Sequence, residues 1–158
     1  MLGGEKKLFA ESCSFCKVAF NPSFSENNKC EKGAYVVNIT SHDNKVTLIA
    51  SGSEVELALN VQNELKKNNV HSKVVSMPCQ ELFDKQSNDF KKDILDEDSL
   101  IVTIEAGNVS SWKKYLGKKG ISLGIDRFGK SAPYKKIYNH LNLSVEKILA
   151  TIQNKLRE

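Results

Sequence analysis

The sequence predicts an α/β fold, a three-layer sandwich with a five-stranded mixed sheet and helices on both faces. Residues 46–78 contain a strand, a glycine turn, an amphipathic helix and a second strand, which together are one βαβ unit. After this unit, short apolar runs alternate with segments of helical periodicity, as expected when crossover helices join parallel strands. We expect four parallel strands and one antiparallel strand at an edge of the sheet.

The strand and turn that begin the βαβ unit have clear signals. Val46–Ala50 is apolar without alternation, which is typical of a strand covered by helices on both faces. Gly52 permits a tight turn after the strand. Ser53 and Glu56 then form the Ser-x-x-Glu pattern of a capping box, in which two side chains satisfy free amides at a helix start.

The helix and the returning strand complete the unit. Apolar residues recur along the helix at helical spacing, and Gln62 is the only polar member of that stripe. Asn68 and Asn69 tolerate the left-handed conformation that ends many helices. The second strand covers residues 73–77, and Pro78 directly follows it. A crossover between parallel strands is almost always right-handed, which determines the local topology.

Three further strands flank the unit. Tyr35–Ile39 precedes it, and the turn at 41–44 predicts a hairpin in which this strand pairs antiparallel with Val46–Ala50. Leu100–Ile104 is the third parallel strand, and residues 121–125 form the last one.

Helices are predicted between and after these strands. Ser87 and Ser144 are placed to cap two of them, and Asn108 a third. Trp112 and Phe128 are expected in the core rather than in contact with a ligand. The C-terminal helix carries a continuous apolar stripe that should lie against the sheet: Val145, Ile148, Leu149, Ile152 and Leu156.

Length and composition limit the class of protein. With 158 residues, 40% of them hydrophobic, the chain can bury one core of ordinary size. No apolar run reaches the roughly 20 residues of a membrane-spanning helix, and residues 1–7 lack the apolar core of a secretory signal. We therefore expect a cytoplasmic protein that does not bind membranes.

The charge pattern argues against nucleic-acid binding. The 23 basic and 19 acidic residues leave a net charge of +4, and the lysine pairs are dispersed without aromatic residues between them. A basic nucleic-acid module is retained as an alternative, which salt-sensitive association with an oligonucleotide would support.

The first 32 residues differ from the rest of the chain. Residues 1–32 show no helical or strand periodicity and are predicted to be an N-terminal extension, ordered only in part, before a domain at 33–158. Cys13 and Cys16 have the two-residue gap of zinc knuckles and of redox pairs. No second pair follows and Cys30 is isolated in the sequence, so reduced, unligated thiols are the expectation.

Loops at the ends of parallel strands are the best candidates for a binding site. Open α/β sheets bind small molecules at this edge, and loops 52–54, 105–107 and 127–131 should meet there. A helix start offers free amides to an anion, and basic side chains can pair with it. The candidate anion site comprises Ser53, Glu105, Arg127 and Lys130. The competing interpretation assigns these residues to turns, caps and local hydrogen bonds.

Five sequence blocks carry a resemblance to a known enzyme family. They are IASGSEVELA at 49–58, VVSMPCQELFDKQ at 74–86, EAG at 105–107, WKKYLG at 112–117 and GIDRFGKSAP at 124–133. In this order they resemble the C-terminal domain of transketolases. The first block is shared with deoxyxylulose-phosphate synthase and with the β subunits of 2-oxoacid dehydrogenases, whose equivalent domains are alternatives. The second and fifth blocks favour transketolase.

The resemblance implies that the full-length protein is a transferase of the pentose phosphate pathway. Transketolases hold thiamine diphosphate and Mg²⁺ between two larger domains that precede this one and meet across a homodimer, and they transfer two-carbon ketol units between sugar phosphates. Their Gly-Asp-Gly motif, which holds metal and diphosphate, is absent from these 158 residues. No catalytic, cofactor-binding or metal-binding residue can be carried over, so we expect the chain alone to be inactive and to bind no cofactor.

The resemblance also implies that the partners are proteins. In a whole enzyme this domain would buttress the neighbouring domain and the dimer. Without the missing transketolase domains and the dimer partner, their contact surfaces would be exposed, so weak self-association is expected. The alternative from another functional class is an independent module that binds anions or small molecules, which saturable ligand binding would favour.

Overall fold

The computed structural model describes residues 29–124 and 143–158, which contain a five-stranded mixed sheet with helices on both faces. The strands are β1 (Tyr35–Ile39), β2 (Val46–Ala50), β3 (Ser72–Ser76), β4 (Leu100–Ile104) and β5 (Ile121–Leu123). The α-helices are α1 (Glu54–Lys67), α2 (Gln80–Asp84), α3 (Asn88–Leu95) and α4 (Val145–Arg157), and two 3₁₀ helices cover Lys29–Lys32 and Ser110–Tyr115. No helix in this part of the chain is long and apolar enough to cross a membrane.

The strands lie side by side in the order β1-β3-β2-β4-β5. β2 is parallel to β3 and β4, and β4 is parallel to β5, whereas β1 is antiparallel to β3. The predicted set of four parallel strands and one antiparallel edge strand is confirmed. The predicted hairpin between β1 and β2 is wrong, because β3 and β4 occupy both edges of β2 and leave β1 to pair with β3.

One face of the sheet is covered by α1 and α4. The buried side chains that α1 contributes to this layer are Val55, Ala58, Val61 and Leu65. Ile148 and Ile152 of α4 are fully buried, which confirms the centre of the predicted stripe, whereas Leu156 near the end is 38% exposed. Full burial of an aliphatic side chain contributes about 1.5–3 kcal/mol, so these residues hold both helices against the sheet.

Gln62 is the polar member of the α1 stripe, and its hydrogen bonds explain why it can be buried. Its Nε2 donates to the carbonyl oxygen of Ser72 at 2.9 Å, and its Oε1 accepts from Nδ2 of Asn38 at 2.8 Å. The amide therefore links α1 to β3 and to β1, and its polar atoms are satisfied away from water.

The opposite face is covered by α2, α3 and the second 3₁₀ helix. Phe83, Trp112 and Tyr115 are buried there, and Tyr115 meets the other two rings at tilted angles with centroid distances of 5.7 Å to Phe83 and 6.3 Å to Trp112. Such edge-to-face contacts add to the energy of burial. The core position predicted for Trp112 is confirmed, and Phe128 lies outside the described residues.

Lys73 of β3 is a buried cation that holds the end of α3. Its Nζ donates to the carbonyl oxygen of Asp93 at 2.8 Å and lies 3.8 Å from the carboxylate of Asp96. Burial lowers the pKa of Lys73, and the charges of the two aspartates oppose that shift. An ammonium at a helix C-terminus complements the negative end of the helix dipole, so the interaction fastens α3 to the sheet.

The ends of the elements agree with the sequence predictions in most places. Ser87 and Ser144 each accept a hydrogen bond from the backbone N–H of the third helical residue, as predicted. Asn108 instead accepts from the N–H of Ser110, and a 3₁₀ helix follows rather than the predicted α-helix. β3 begins and ends one residue earlier than predicted, and β5 ends at Leu123.

Gly33 lies in close contact with the start of α2. Its φ is +82°, and a Cβ at this position would lie 2.3 Å from the backbone nitrogen of Phe83 and 2.4 Å from the carbonyl oxygen of Cys79. Its N–H donates to the carbonyl of Cys30, and its own carbonyl accepts from the N–H of Cys79. Because only glycine fits this contact, the first 3₁₀ helix can be held against the turn that opens α2.

We predict that Gly33→Ala is more destabilising than Gly52→Ala. Both positions have positive φ, which costs an alanine roughly 1–2 kcal/mol, but a Cβ at Gly52 would meet nothing within 4 Å. The steric clash at Gly33 should therefore add about 1–3 kcal/mol to the loss of unfolding free energy. Urea unfolding followed by circular dichroism measures both variants, and equal losses would show that the close contact carries no energy.

Candidate functional site

The first two predicted loops meet at the carboxyl edge of the sheet. β2 and β4 are paired in register, with Ala50 opposite Ile104, so the residues that follow them emerge side by side. The hydroxyl of Ser51 donates to Oε2 of Glu105 at 3.3 Å across this junction. The parallel register thus places polar groups from both loops in one cluster, as expected for this edge of an α/β sheet.

The cluster is acidic. Glu54, the first residue of α1, is only 5% exposed, and Glu105 is half-buried. Burial raises the pKa of the Glu105 carboxyl, and the nearby charge of Glu54 raises it further. Hydrogen bonds from Ser51 and Trp112 favour the charged form and oppose this shift.

Ser53 does not form the predicted capping box. Its backbone is already helical, and its hydroxyl donates to Oε1 of Glu54 at 2.7 Å rather than accepting from a backbone amide. The first amides of this turn find main-chain acceptors, since the N–H of Glu54 donates to Ser51 and that of Val55 to Gly52. With these bonds in place, the helix starts without the side-chain cap.

The predicted anion site stays a prediction, with two of its four residues in the described part of the chain. Ser53 and Glu105 lie at this edge, whereas Arg127 and Lys130 fall outside the described residues. Glu54, which is not among the predicted site residues, is buried beside Ser53 at this edge. A glutamate in the first turn of a helix resembles an ordinary surface residue that complements the helix dipole, so no local signal reveals its burial.

The described edge does not fit thiamine diphosphate or its metal. Two neighbouring carboxylates would repel a diphosphate unless cations intervene, and the groups acting on Glu105 are Glu54, Ser51 and Trp112. Within residues 29–124 and 143–158, no cluster of three or more His, Cys, Asp or Glu side chains is placed to hold a metal ion.

A second polar cluster joins α2 to the second 3₁₀ helix. The carboxylate of Asp84 accepts from the hydroxyl of Tyr115 at 2.9 Å and forms an ion pair with Lys114. Burial, the largest cause, raises the pKa of Tyr115 to about 12, so its hydroxyl stays protonated and donates. Asp84 belongs to the block at 74–86 and Tyr115 to the block at 112–117. Two of the blocks that carry the family resemblance are therefore in contact with each other.

A groove of about 1110 Å³ lies between α1 and α4. Its lining includes Val145 and Leu149 of α4 and, from α1, the ion pair between Lys67 and Glu64, whose Nζ and Oε1 atoms are 2.6 Å apart. The α1 residues that line it lie between Asn60 and Lys67, and none of them belongs to the first turn of that helix beside the strand-end loops. Its lining contains no arrangement of nucleophile, base and orienting group.

The family model described as the transketolase-like C-terminal domain matches residues 33–144. The chain belongs to this family. Its fold is that of a transketolase C-terminal domain, and the matched region begins at Gly33, where the close contact with α2 is made.

The sequence relatives are much longer proteins than the region that matches. Bacillus subtilis transketolase is 45% identical over 125 residues, which are 78% of this chain and 19% of that protein. The chloroplastic transketolase of Solanum tuberosum is 43% identical over 122 residues, 75% of this chain and 16% of that protein. The chain therefore spans less than a fifth of these two relatives.

Solved structures agree with the domain assignment. Campylobacter jejuni transketolase superposes with a TM-score of 0.71 at 36% identity, over 78% of this chain and 19% of that one. Leishmania mexicana transketolase gives a TM-score of 0.74 at 33% identity, with coverage of 82% and 18%. A split-gene transketolase, described as an inactive β4 tetramer, shares the fold at 17% identity and a TM-score of 0.68, over 88% of this chain and 46% of that one.

We predict that Glu105 makes this transketolase domain less stable as the pH rises. Its folded pKa lies above the ordinary value of 4.5, so the folded state binds more protons than the unfolded state between those two values. The contribution of Glu105 is fully present below pH 4.5 and is lost as the pH rises through the folded pKa. Glu105→Gln should remove this loss while keeping a hydrogen-bond acceptor for Ser51.

Glu146→Gln is the matched control for this measurement. Its own backbone amide and the Ser144 hydroxyl lower the pKa of Glu146, so its contribution is lost as the pH falls, the opposite sign to that of Glu105. Unfolding free energies measured from about pH 3 to neutral should change slope in opposite directions in the two variants, below pH 4.5 for Glu146→Gln and above it for Glu105→Gln. A Glu105→Gln curve parallel to that of the unmodified chain would contradict the assignment.

Proposed function

We propose that this chain serves as the non-catalytic C-terminal domain of a transketolase. In the complete enzyme, domains absent from this sequence would hold thiamine diphosphate and Mg²⁺ and would transfer two-carbon ketol units between sugar phosphates of the pentose phosphate pathway. The role of this domain is to support the neighbouring domain and the homodimer. We place the assembled enzyme in the cytoplasm.

One observation carries this proposal: residues of the blocks that resemble transketolases are used in contacts between elements. Asp84 joins the block at 74–86 to Tyr115 in the block at 112–117, and Glu105 joins β4 to Ser51 after β2. These bonds maintain packing, whereas ketol transfer requires a bound coenzyme, a base and cations for the sugar phosphates.

The partner proposed for this domain is a polypeptide that contains the two thiamine-site domains. The chain spans only 16% to 19% of the relatives described above, so most of such an enzyme lies outside it. The split-gene neighbour, whose β4 tetramer is inactive, is consistent with a fold of this class that needs other domains for activity. Surfaces that the missing domains and the dimer partner would cover are expected to let the isolated domain self-associate weakly.

The isolated chain should not catalyse ketol transfer. We expect that purified protein supplied with xylulose 5-phosphate, ribose 5-phosphate, thiamine diphosphate and Mg²⁺ forms no sedoheptulose phosphate. Turnover that rises in proportion to the concentration of this protein would refute the non-catalytic assignment.

A chimera tests the supporting role directly. Residues 33–158 would replace the C-terminal domain of Bacillus subtilis transketolase, which is 45% identical over the matched region. We expect the chimera to dimerise and to regain the activity that a form truncated before this domain lacks. A folded, dimeric chimera that binds thiamine diphosphate yet has no more activity than the truncated form would exclude the proposed role.

A further inference from the structure

Few buried side chains attach α3 to the rest of the domain. Among its eight residues Ile94 alone is buried, whereas Phe90 and Leu95 are half-buried and pack against the margin of the aromatic cluster. By contrast, every residue of β2, β3 and β4 is buried. A segment with so little buried apolar surface opens locally at a lower free-energy cost than the core.

The C-terminal end of α3 is held instead by polar groups of the sheet. Thr47 of β2 and Lys73 of β3 lie opposite each other in the parallel register, and neither is more than 4% exposed. Nζ of Lys73 donates to the carbonyl oxygen of Asp93 at 2.8 Å and lies 3.8 Å from Oδ2 of Asp96. One buried ammonium thus contacts both the last turn of α3 and the residue that follows it.

Thr47 reaches the same residue through Ser99. The hydroxyl oxygens of Thr47 and Ser99 are 2.6 Å apart, and the Ser99 hydroxyl donates to the carbonyl of Asp96 at 2.8 Å. A serine hydroxyl has a single proton, so Thr47 supplies the proton of the bond between the two hydroxyls. Asp96 therefore receives a contact from β3 at its carboxylate and a relayed contact from β2 at its carbonyl.

The backbone of Asp96 determines where α3 ends. Its φ is +54°, in the left-handed region that aspartate and asparagine tolerate better than most residues. Its N–H donates to the carbonyl of Lys92 at 2.8 Å and closes the last turn. The contacts of this one residue with the sheet therefore control the position of the helix end.

The buried charge opposes these contacts. Burial lowers the pKa of Lys73, and the charges of Asp96 and Asp93 raise it in part. Removing an ammonium from water has a large free-energy cost, which its hydrogen bonds and its ion pair only partly offset. An outward movement of α3 would return the ammonium to water, so the closed position is a balance that small changes can shift.

We propose that α3 is a strap that opens and closes as one unit, and that Lys73 and Asp96 form the latch that holds it closed. In the open state the end of α3 leaves the sheet and the Lys73 ammonium is hydrated, while β2, β3 and α1 stay folded. This conformational device is independent of the proposed transketolase role, because it concerns contacts within the domain.

Hydrogen exchange in the full 158-residue chain tests the proposal without any variant. The free energy of opening and its dependence on urea are measured for amides of α3 and of β2. We expect α3 amides to exchange through an opening of lower free energy that depends only weakly on urea, since it exposes little surface. Amides of β2 should exchange only through global unfolding.

Asp96→Asn tests the latch. Asparagine tolerates the positive φ, so the change removes the charge that faces Lys73 and keeps the backbone conformation. The equilibrium constant for opening of α3 should rise roughly 10-fold, with protection of β2 against local opening unchanged. Asp98→Asn is the matched control, because Asp98 is an exposed residue of the same turn, and it should leave exchange in α3 as it is.

A double-mutant cycle separates the latch from general packing. Lys73→Met should also release α3, because it leaves the carbonyl of Asp93 without its donor. In that background Asp96→Asn should have little further effect, since the charge that it removes no longer faces a cation. The two changes together should therefore open α3 less than the product of their separate effects.

Three results would overturn the proposal. The first is equal opening free energy and equal urea dependence for α3 and β2 in the unmodified chain. The second is an effect of Asp96→Asn no larger than that of Asp98→Asn. The third is full additivity of Lys73→Met and Asp96→Asn, which would show that the two residues do not act as a pair.

Discussion

The pairing of β2 on both of its edges is the constraint on which the rest of the fold depends. All five of its residues are buried, and each lies opposite one residue of β3 and one of β4. A strand enclosed in this way has no free edge, and its backbone groups are satisfied only inside the sheet. The parallel register also brings the loops after β2 and β4 to the same edge, so it determines which side chains can meet there.

This constraint explains which features of the fold can be predicted from the sequence. β2 and β4 are mostly apolar and do not alternate with polar residues, which predicts strands buried on both faces, and the spacing of apolar residues in α1 and α4 predicts the faces they bury. The strand that pairs with β1 cannot be predicted from local sequence patterns. A short turn favours a local hairpin with β2, but pairing is decided by competition among strands that are distant along the chain, and both edges of β2 are already taken.

The polar clusters are also hard to predict from the sequence, because they too depend on contacts between segments that are distant along the chain. Ser53 and Glu56 satisfy a capping pattern, yet main-chain carbonyls supply the acceptors and the Ser53 hydroxyl turns to Glu54. Nothing in a local pattern reports that Glu54 and Glu105 converge, because their approach follows from the register of two strands. The periodicity of a sequence predicts which face of a helix or strand a residue occupies. A functional site depends in addition on which helices and strands pack against each other, and periodicity does not report this.

Residues of the sequence blocks that identify the family also make contacts that hold the fold together. Asp84 and Tyr115 form one hydrogen bond between two of these blocks, and Gly33 begins the matched region with a contact that excludes any larger residue. Each feature depends on two segments remaining together, so a change in one segment alone leaves the other without its partner. A domain can therefore keep its family signature for structural reasons. The close contact at Gly33 also shows that the start of the matched region is closely packed, because there the 3₁₀ helix at Lys29–Lys32 meets the backbone of the turn that opens α2.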